Sequence, residues 1–472
     1  MSLKPAHHNT PLPETKPAID LTGECAGGDF GKARATVGAD LRGSPSRQDA
    51  HAGTSVPCAG RQVRYHPLMP DATPTKHAHL HPSDLRALAR LLTDATAGVT
   101  DLVEAVHIGV APADKPNGVA PLTYRTIRSM TRFLGSGIDA ALAQLTPLLG
   151  SRDASPERRL ALAALNGVMG DYLSDSGNPL AETMTFRRDG APLALTREAL
   201  AAAYPAGDKL VVLVHGLCMN DLAWDAGGLG ATLAGNLGYT PLALDYNSGR
   251  HISTNGRDLA DHLEALIGAW PRPVTELVLI GHSMGGLVAR SAGHAGAVAG
   301  HAWPARLRAL VFLGAPHHGA PLERGGNWIN VLMAATPYVA PFARLGQGRS
   351  AGITDLRHGN LLDEDWHGRD RFAHVPDSRT PMPLPPGVHC FAAAAMLGQS
   401  ADSLRDRLVG DGLVPLDSAL GRHADPARNL PFDETNSWIG YGMNHLDLLR
   451  RPEVAAQVEA WLAALQDEAS RL

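Results

Sequence analysis

The sequence predicts an α/β protein built on a mostly parallel central sheet covered by helices on both faces. Two observations carry this prediction. Short apolar runs at Leu210 to Val214, Leu242 to Leu244, Leu277 to Ile280, Leu310 to Leu313 and Val388 to Ala394 alternate with stretches of helical periodicity. Continuous runs of this kind suit strands buried on both sides, whereas a strand with one wet face alternates apolar and polar. The second observation is a serine between glycines, Gly281-His282-Ser283-Met284-Gly285, set between the third run and a helical segment. The expected organisation is a tail over residues 1–70, a helical extension over 71–180, and the α/β domain over 181–472 with an insertion spanning about 320–387.

Each element has a local reason. Residues 1–70 mix Pro, Gly, Asp, Thr and His with hardly any periodic apolar positions, so they bury too little surface to offset ordering entropy and are expected to be disordered. Met69 at the end of that stretch suggests a start codon assigned too early. The alternate histidines His77, His79 and His81 read as a solvated run rather than a metal site. From Ser83, a helix N-cap, Leu85, Leu88, Leu92, Ala95, Val99, Leu102 and Val106 recur at three- and four-residue steps. Further helices are predicted at 123–134, 138–149 and 156–173, the last opening with Ser155-Pro156-Glu157. The amphipathic faces of these helices could serve a lipid surface, but Arg86, Arg90, Arg125, Arg128 and Arg132 read rather as the solvated sides of packed helices. Met184 to Arg187, Asp189-Gly190 and Pro192 to Leu195 read as a hairpin with a tight turn. Leu259, Leu263, Leu266, Ile267 and Trp270 mark the buried stripe of a crossover helix.

Composition excludes several classes. Lys and Arg number 42 against 47 Asp and Glu, a net charge of −5, so there is no basic surplus to neutralise phosphates, and no nucleic-acid partner is expected. The four cysteines, Cys25, Cys58, Cys218 and Cys390, have neither metal-ligand spacing nor the density of a disulfide framework. No apolar run approaches the roughly 18 residues of a membrane span. The expectation is a cytoplasmic protein without a transmembrane segment, with peripheral membrane contact left open and the oligomeric state unspecified.

The chemistry sits at the end of the Leu277 to Ile280 strand. A serine hydroxyl is a poor nucleophile, and a sharp strand-to-helix turn exposes its Oγ beside a helix N-terminus. Flanking glycines, here Gly281, Gly285 and Gly286, relieve the crowding of such an elbow. After the Leu210 to Val214 strand comes His215-Gly216-Leu217-Cys218-Met219, and after Leu310 to Leu313 comes Gly314-Ala315-Pro316-His317-His318-Gly319. With these three motifs, residues 181–472 resemble the α/β-hydrolase family and, within it, its lipase and carboxylesterase branch.

The resemblance implies an α/β-hydrolase fold with a lid insertion and an oxyanion hole formed by the main-chain N–H groups of Leu217 and Met284. The family's chain order of nucleophile, acid and base directs attention downstream of Ser283. Asp411, in Val409-Gly410-Asp411-Gly412-Leu413-Val414-Pro415, is the expected acid, with Asp417 second. His445, in Gly442-Met443-Asn444-His445, follows a strand at Ser437 to Tyr441, precedes a helix from Pro452 to Leu465, and is the expected base. His282 is too close in sequence to turn toward the same Oγ, His215 orders the oxyanion loop, and Cys218 packs as a small buried thiol. His317 and His318 precede the acid and are expected to shape the pocket, as are Trp328 and Leu332 in the apolar insertion. Asp447 stands where some relatives hold calcium, but no oxygen ligand follows it, so neither metal nor cofactor is assigned. The expected activity is hydrolysis of medium-to-long acyl or otherwise lipophilic carboxylic esters through an acyl-enzyme. Acyl transfer, lipid-anchor deacylation by the same triad, and a non-enzymatic binding module are the alternatives.

Overall fold

The computed structural model describes residues 155–188, 190–204, 207–320, 350–369, 377–401 and 404–471. The expected tail, the expected helices before residue 155, Asp189, Trp328 and Leu332 lie outside these residues. In chain order the elements are α1 (Pro156–Asp175), β1 (Thr185–Arg188), β2 (Ala191–Pro192), α2 (Arg197–Ala203), β3 (Lys209–Val214), α3 (Leu229–Leu237), β4 (Thr240–Asp245), α4 (Ile252–Ala269), β5 (Glu276–His282), α5 (Met284–Ala299), β6 (Leu307–Leu313), α6 (Ala351–His358), β7 (His389–Met396), α7 (Leu404–Val409), α8 (Leu416–Ala419), β8 (Ser437–Tyr441), α9 (Asp447–Arg450) and α10 (Pro452–Arg471).

The strands form one sheet in the order β2-β1-β4-β3-β5-β6-β7-β8. From β4 to β8 all neighbours are parallel, and β1 alone is reversed, pairing antiparallel with both β4 and β2. The apolar runs are therefore doubly buried strands. Alternate residues divide between two cores: Leu210, Val212 and Val214 of β3 face one side with Leu259, Leu263 and Leu266 of α4 and Leu287 of α5. Val211 and Leu213 face the other with Leu233 of α3 and Val458, Trp461 and Leu462 of α10. The predicted stripe of α4 is thus its buried face, with Trp270 closing the helix as its C-cap.

The predicted hairpin is shorter than expected. β2 holds only Ala191 and Pro192, because Pro192 has no N–H to extend the ladder, and one further bond, from Leu193 N–H to the Phe186 carbonyl (2.8 Å), completes the pairing. α1 begins where Ser155-Pro156 predicted, with the Ser155 hydroxyl accepting from Arg158 N–H (3.3 Å). The helix kinks at Met169, between Gly167 and Gly170. Those two glycines face the loops after β3 and β4: an added Cβ at Gly167 would strike Cys218, and one at Gly170 would strike the Asn247 side chain. Among the described residues, no helix is long and apolar enough to cross a membrane.

Candidate active site

In a parallel sheet the crevice outside the carboxyl ends of the strands is where ligands bind. Ser283, Asp411 and His445 follow β5, β7 and β8 at that edge. The ladder carries the serine into position, with Ser283 N–H donating to the Leu313 carbonyl at the end of β6 (2.9 Å). Ser283 then turns at φ 55°, ψ −123°, a left-handed conformation disfavoured for a residue bearing a Cβ, and α5 starts at the next residue. Packing enforces the turn. A Cβ at Gly285 would collide with the carbonyl oxygens of Val214 and His215, and one at Gly281 with the main chain of Gly285 and Gly286.

His445 and Asp411 form the tightest polar contact of the site. His445 Nδ1 lies 2.6 Å from Asp411 Oδ2. A carboxylate only accepts, so Nδ1 carries a proton, and Nε2 is the ring nitrogen left to exchange one. That atom is buried with no hydrogen-bond partner among the described residues. Asp411 is itself fixed: its Oδ1 accepts from the N–H groups of Leu413 (2.9 Å) and Val414 (2.8 Å), and its carbonyl accepts from His445 N–H (3.1 Å). The His445 ring rests over Gly314, where an added Cβ would lie 3.2 Å from both Cε1 and Nδ1. Gly314 directly follows the Leu313 whose carbonyl holds Ser283, so the imidazole and the serine share one platform. Asp417 stands apart, engaged by Arg407 at 2.6 and 2.7 Å.

The loop after β3 lies against Ser283. A Cβ at Gly216 would sit 3.1 Å from Ser283 Cβ. The loop is held from behind: Cys218 N–H donates to Ser248 Oγ (3.0 Å), and Tyr246 OH donates to the His215 carbonyl (2.8 Å). His215, buried and stacked on Tyr246, donates from Nδ1 to the Gly216 carbonyl (2.8 Å). Cys218 adopts φ 59°, and burial pushes its thiol up to about 12, which keeps it protonated and poorly nucleophilic. Leu217 and Met284 are both buried at this junction.

Sequence reading missed two supports of the site. One is the polar stretch Asp245-Tyr246-Asn247-Ser248 at the end of β4, whose position after a parallel strand was the available signal. Behind it lies a buried charge cluster in which Arg159 pairs with Asp221, Arg187 Nε lies 2.7 Å from Asp245, and Asp245 lies 3.7 Å from His215 Nε2. The other is His282, which from sequence was only rejected as a base. Its Nε2–H donates to the His445 carbonyl (3.1 Å), and its ring lies 4.7 Å from that of His445. Burial, with His445 close by, holds the His282 imidazole well below its ordinary range, so it is neutral.

His317 and His318 bond elsewhere. His317 Nδ1 accepts from Arg290 (3.2 Å), His317 N–H donates to the Ser418 carbonyl (3.2 Å), and His318 N–H donates to Ser418 Oγ (3.1 Å). Asp447 Oδ2 accepts from Asn444 N–H (2.9 Å) and so shapes the turn before His445. Among the described residues, no group of three or more His, Cys, Asp or Glu side chains is arranged to hold a metal ion.

A mostly parallel sheet with this strand order, a serine elbow after β5 and motif loops at its carboxyl edge make up an α/β-hydrolase fold. Residues 209–373 match the family described as PGAP1-like alpha/beta domain. Similar solved structures include Bacillus licheniformis lipase BlEst2 in mature form, at 18% identity over 59% of this chain and 97% of that one, TM-score 0.36. The Pyrococcus furiosus esterase Pf2001 is similar at 16% identity over 55% of this chain and 83% of that one, TM-score 0.32. A Pyrobaculum calidifontis esterase is similar at 14% identity over 56% and 79%, TM-score 0.35. No curated protein matches the chain.

Proposed function

We propose that the protein is a serine hydrolase that cleaves carboxylic esters through an acyl-enzyme, with Ser283 as nucleophile, His445 as general base and Asp411 as its orienting acid. The observation that carries this proposal is the 2.6 Å His445–Asp411 contact, which leaves an unpartnered Nε2 beside the serine elbow. In the proposed reaction Ser283 Oγ attacks the ester carbonyl and its proton passes to His445 Nε2. The N–H groups of Leu217 and Met284 receive the negative charge that develops on the carbonyl oxygen. Collapse of the tetrahedral intermediate breaks the C–O bond, and the departing alkoxide takes the proton from His445. Water then repeats the sequence on the acyl-serine, releasing the acid and restoring Ser283. Asp411 holds the Nδ1–H tautomer throughout and stabilises the imidazolium.

A medium-to-long or otherwise lipophilic chain is the preferred acyl group. Hydrolysis of p-nitrophenyl esters from acetate to palmitate, by the wild type and Ser283→Ala in parallel, tests chemistry and pocket together. Turnover that rises with chain length and vanishes in Ser283→Ala is expected. Failure to cleave any ester and to accept a fluorophosphonate at Ser283 would overturn the proposal in favour of a non-enzymatic module. The second reading is acyl transfer or removal of an acyl chain from a lipid anchor, which the match to the PGAP1-like alpha/beta domain keeps in view. An added acceptor alcohol separates transfer, which yields a new ester, from hydrolysis, which yields free acid.

A further inference from the structure

The helix that follows the nucleophile carries a buried charge that the proposed chemistry does not use. Arg290 on α5 is only 5% exposed. Its Nη1 donates to His317 Nδ1 (3.2 Å) and its Nη2 to the Met382 carbonyl oxygen, while Nε is buried without a partner. Among the described residues no carboxylate pairs with it. Burial and the nearby Arg379 push its pKa down to about 10, so it is still a full cation at neutral pH.

Arg290, His317, His318 and Arg379 line a cavity of about 20 Å³. The carboxylate on its wall, Asp365, accepts from the N–H groups of Leu361 (2.9 Å), Leu362 (3.1 Å) and Thr380 (2.8 Å) and makes no ion pair with Arg290. Asp377 is engaged outside the cavity by Arg379 (2.6 Å) and Arg428 (3.4 Å). A second donor faces the same problem as Arg290. A guanidinium can only donate, so His317 Nδ1 accepts and its proton sits on Nε2, an atom that is also buried without a partner. A buried cation with no carboxylate bonded to it is costly, and an unfilled N–H beside it adds to that cost. The room beside these donors suffices for one water-sized guest.

We propose that this cavity binds a single small monovalent anion of the halide class, held by Arg290 and the Nε2–H of His317. The anion would bridge α5, the loop after β6 and the segment through Met382. The site involves none of Ser283, Asp411 or His445, so it stands or falls separately from the ester-hydrolase proposal.

Thermal unfolding of the full chain in sodium chloride, sodium bromide and sodium gluconate at matched ionic strength tests it. Chloride and bromide should raise the midpoint saturably, by about 4 °C at 100-fold over the dissociation constant, above any effect of gluconate. The increment should vanish in Arg290→Gln. An equal response to all three salts, or a halide increment that survives in Arg290→Gln, overturns the proposal and leaves water as the guest. Should Arg290→Gln fail to fold, wild-type crystals in sodium bromide decide: an anomalous peak in this cavity accompanied by the solution increment supports the site, and absence of either overturns it.

Discussion

At the scale of single residues, the site depends on who can donate and who can only accept. Asp411 accepts two main-chain N–H bonds on one oxygen and the His445 Nδ1–H on the other, so its geometry and its charge are fixed together. Asp411→Asn should keep the fold yet offer an amide N–H where His445 needs an acceptor, turning the imidazole to the wrong tautomer. The expected loss in kcat is about 10⁴-fold, measured on the best p-nitrophenyl ester, with fluorophosphonate labelling of Ser283 slowed in parallel. Retention of near-normal turnover would move the acid to another carboxylate. Asp411 is legible from sequence because glycines flank it on a turn after a strand. His282 is not, because its role is to hold a carbonyl 163 positions away, a relation without local trace.

At the scale of elements, the loop after β3 is set by its neighbours rather than by its own sequence. Gly167 of α1 faces Cys218, Ser248 caps the Cys218 N–H, and Tyr246 holds the His215 carbonyl. Gly167→Ala would drive a methyl into the Cys218 Sγ and main chain, displacing the proposed Leu217 donor without touching Ser283, His445 or Asp411. Turnover should fall by about 10²–10³-fold while fluorophosphonate still labels Ser283. Loss of labelling together with turnover would instead mean a general collapse. Ser248→Ala leaves a buried N–H unsatisfied and should lower stability by about 1–3 kcal/mol, read as a reduced denaturation midpoint. Helix α6 illustrates what spacing alone does not convey. Its Ser350 cap donates to the Gly167 carbonyl (2.7 Å), and Asp355 accepts from Ile252 N–H (2.9 Å), so this part of the insertion is fastened to α1 and to the start of α4.

At the scale of the whole molecule, the buried imidazoles make stability depend on pH. His282 and His317 are held well below their ordinary range, chiefly by burial, so both are neutral in the folded protein but take up protons near pH 6.5 when unfolded. The unfolded chain then binds more protons, and stability must fall as pH drops below about 6.5, by roughly 1.4 kcal/mol per pH unit for each histidine. Unfolding midpoints measured from pH 8 to pH 4.5 should be flat above 7 and steep below 6. His317→Gln should reduce that slope, and an unchanged slope would place the protons elsewhere. Removal of residues 1–70 should leave both midpoint and ester turnover intact, as their composition predicts. Loss of folding on that deletion would place part of the core within those residues.

The sequence by itself determined the class of fold, because doubly buried strands need unbroken apolar runs and crossover helices need a stripe, and both patterns are local. It also drew attention to Ser283, since a strand-to-helix turn announces itself within a few residues, and the chain order implied by the family resemblance then directed attention to Asp411 and His445. Even β7, whose Ala392 to Ala395 run favours a helix intrinsically, was readable as a strand from its place in the alternation, and burial on both faces overrides that preference. Only the tertiary structure decided which residues hold the site from behind. The contacts of Gly167 with Cys218, of His282 with the His445 carbonyl and of Arg290 with His317 join segments far apart in the chain. Hydrogen-bond satisfaction and close packing are settled by the partner across the gap, and no periodicity along the chain encodes that partner.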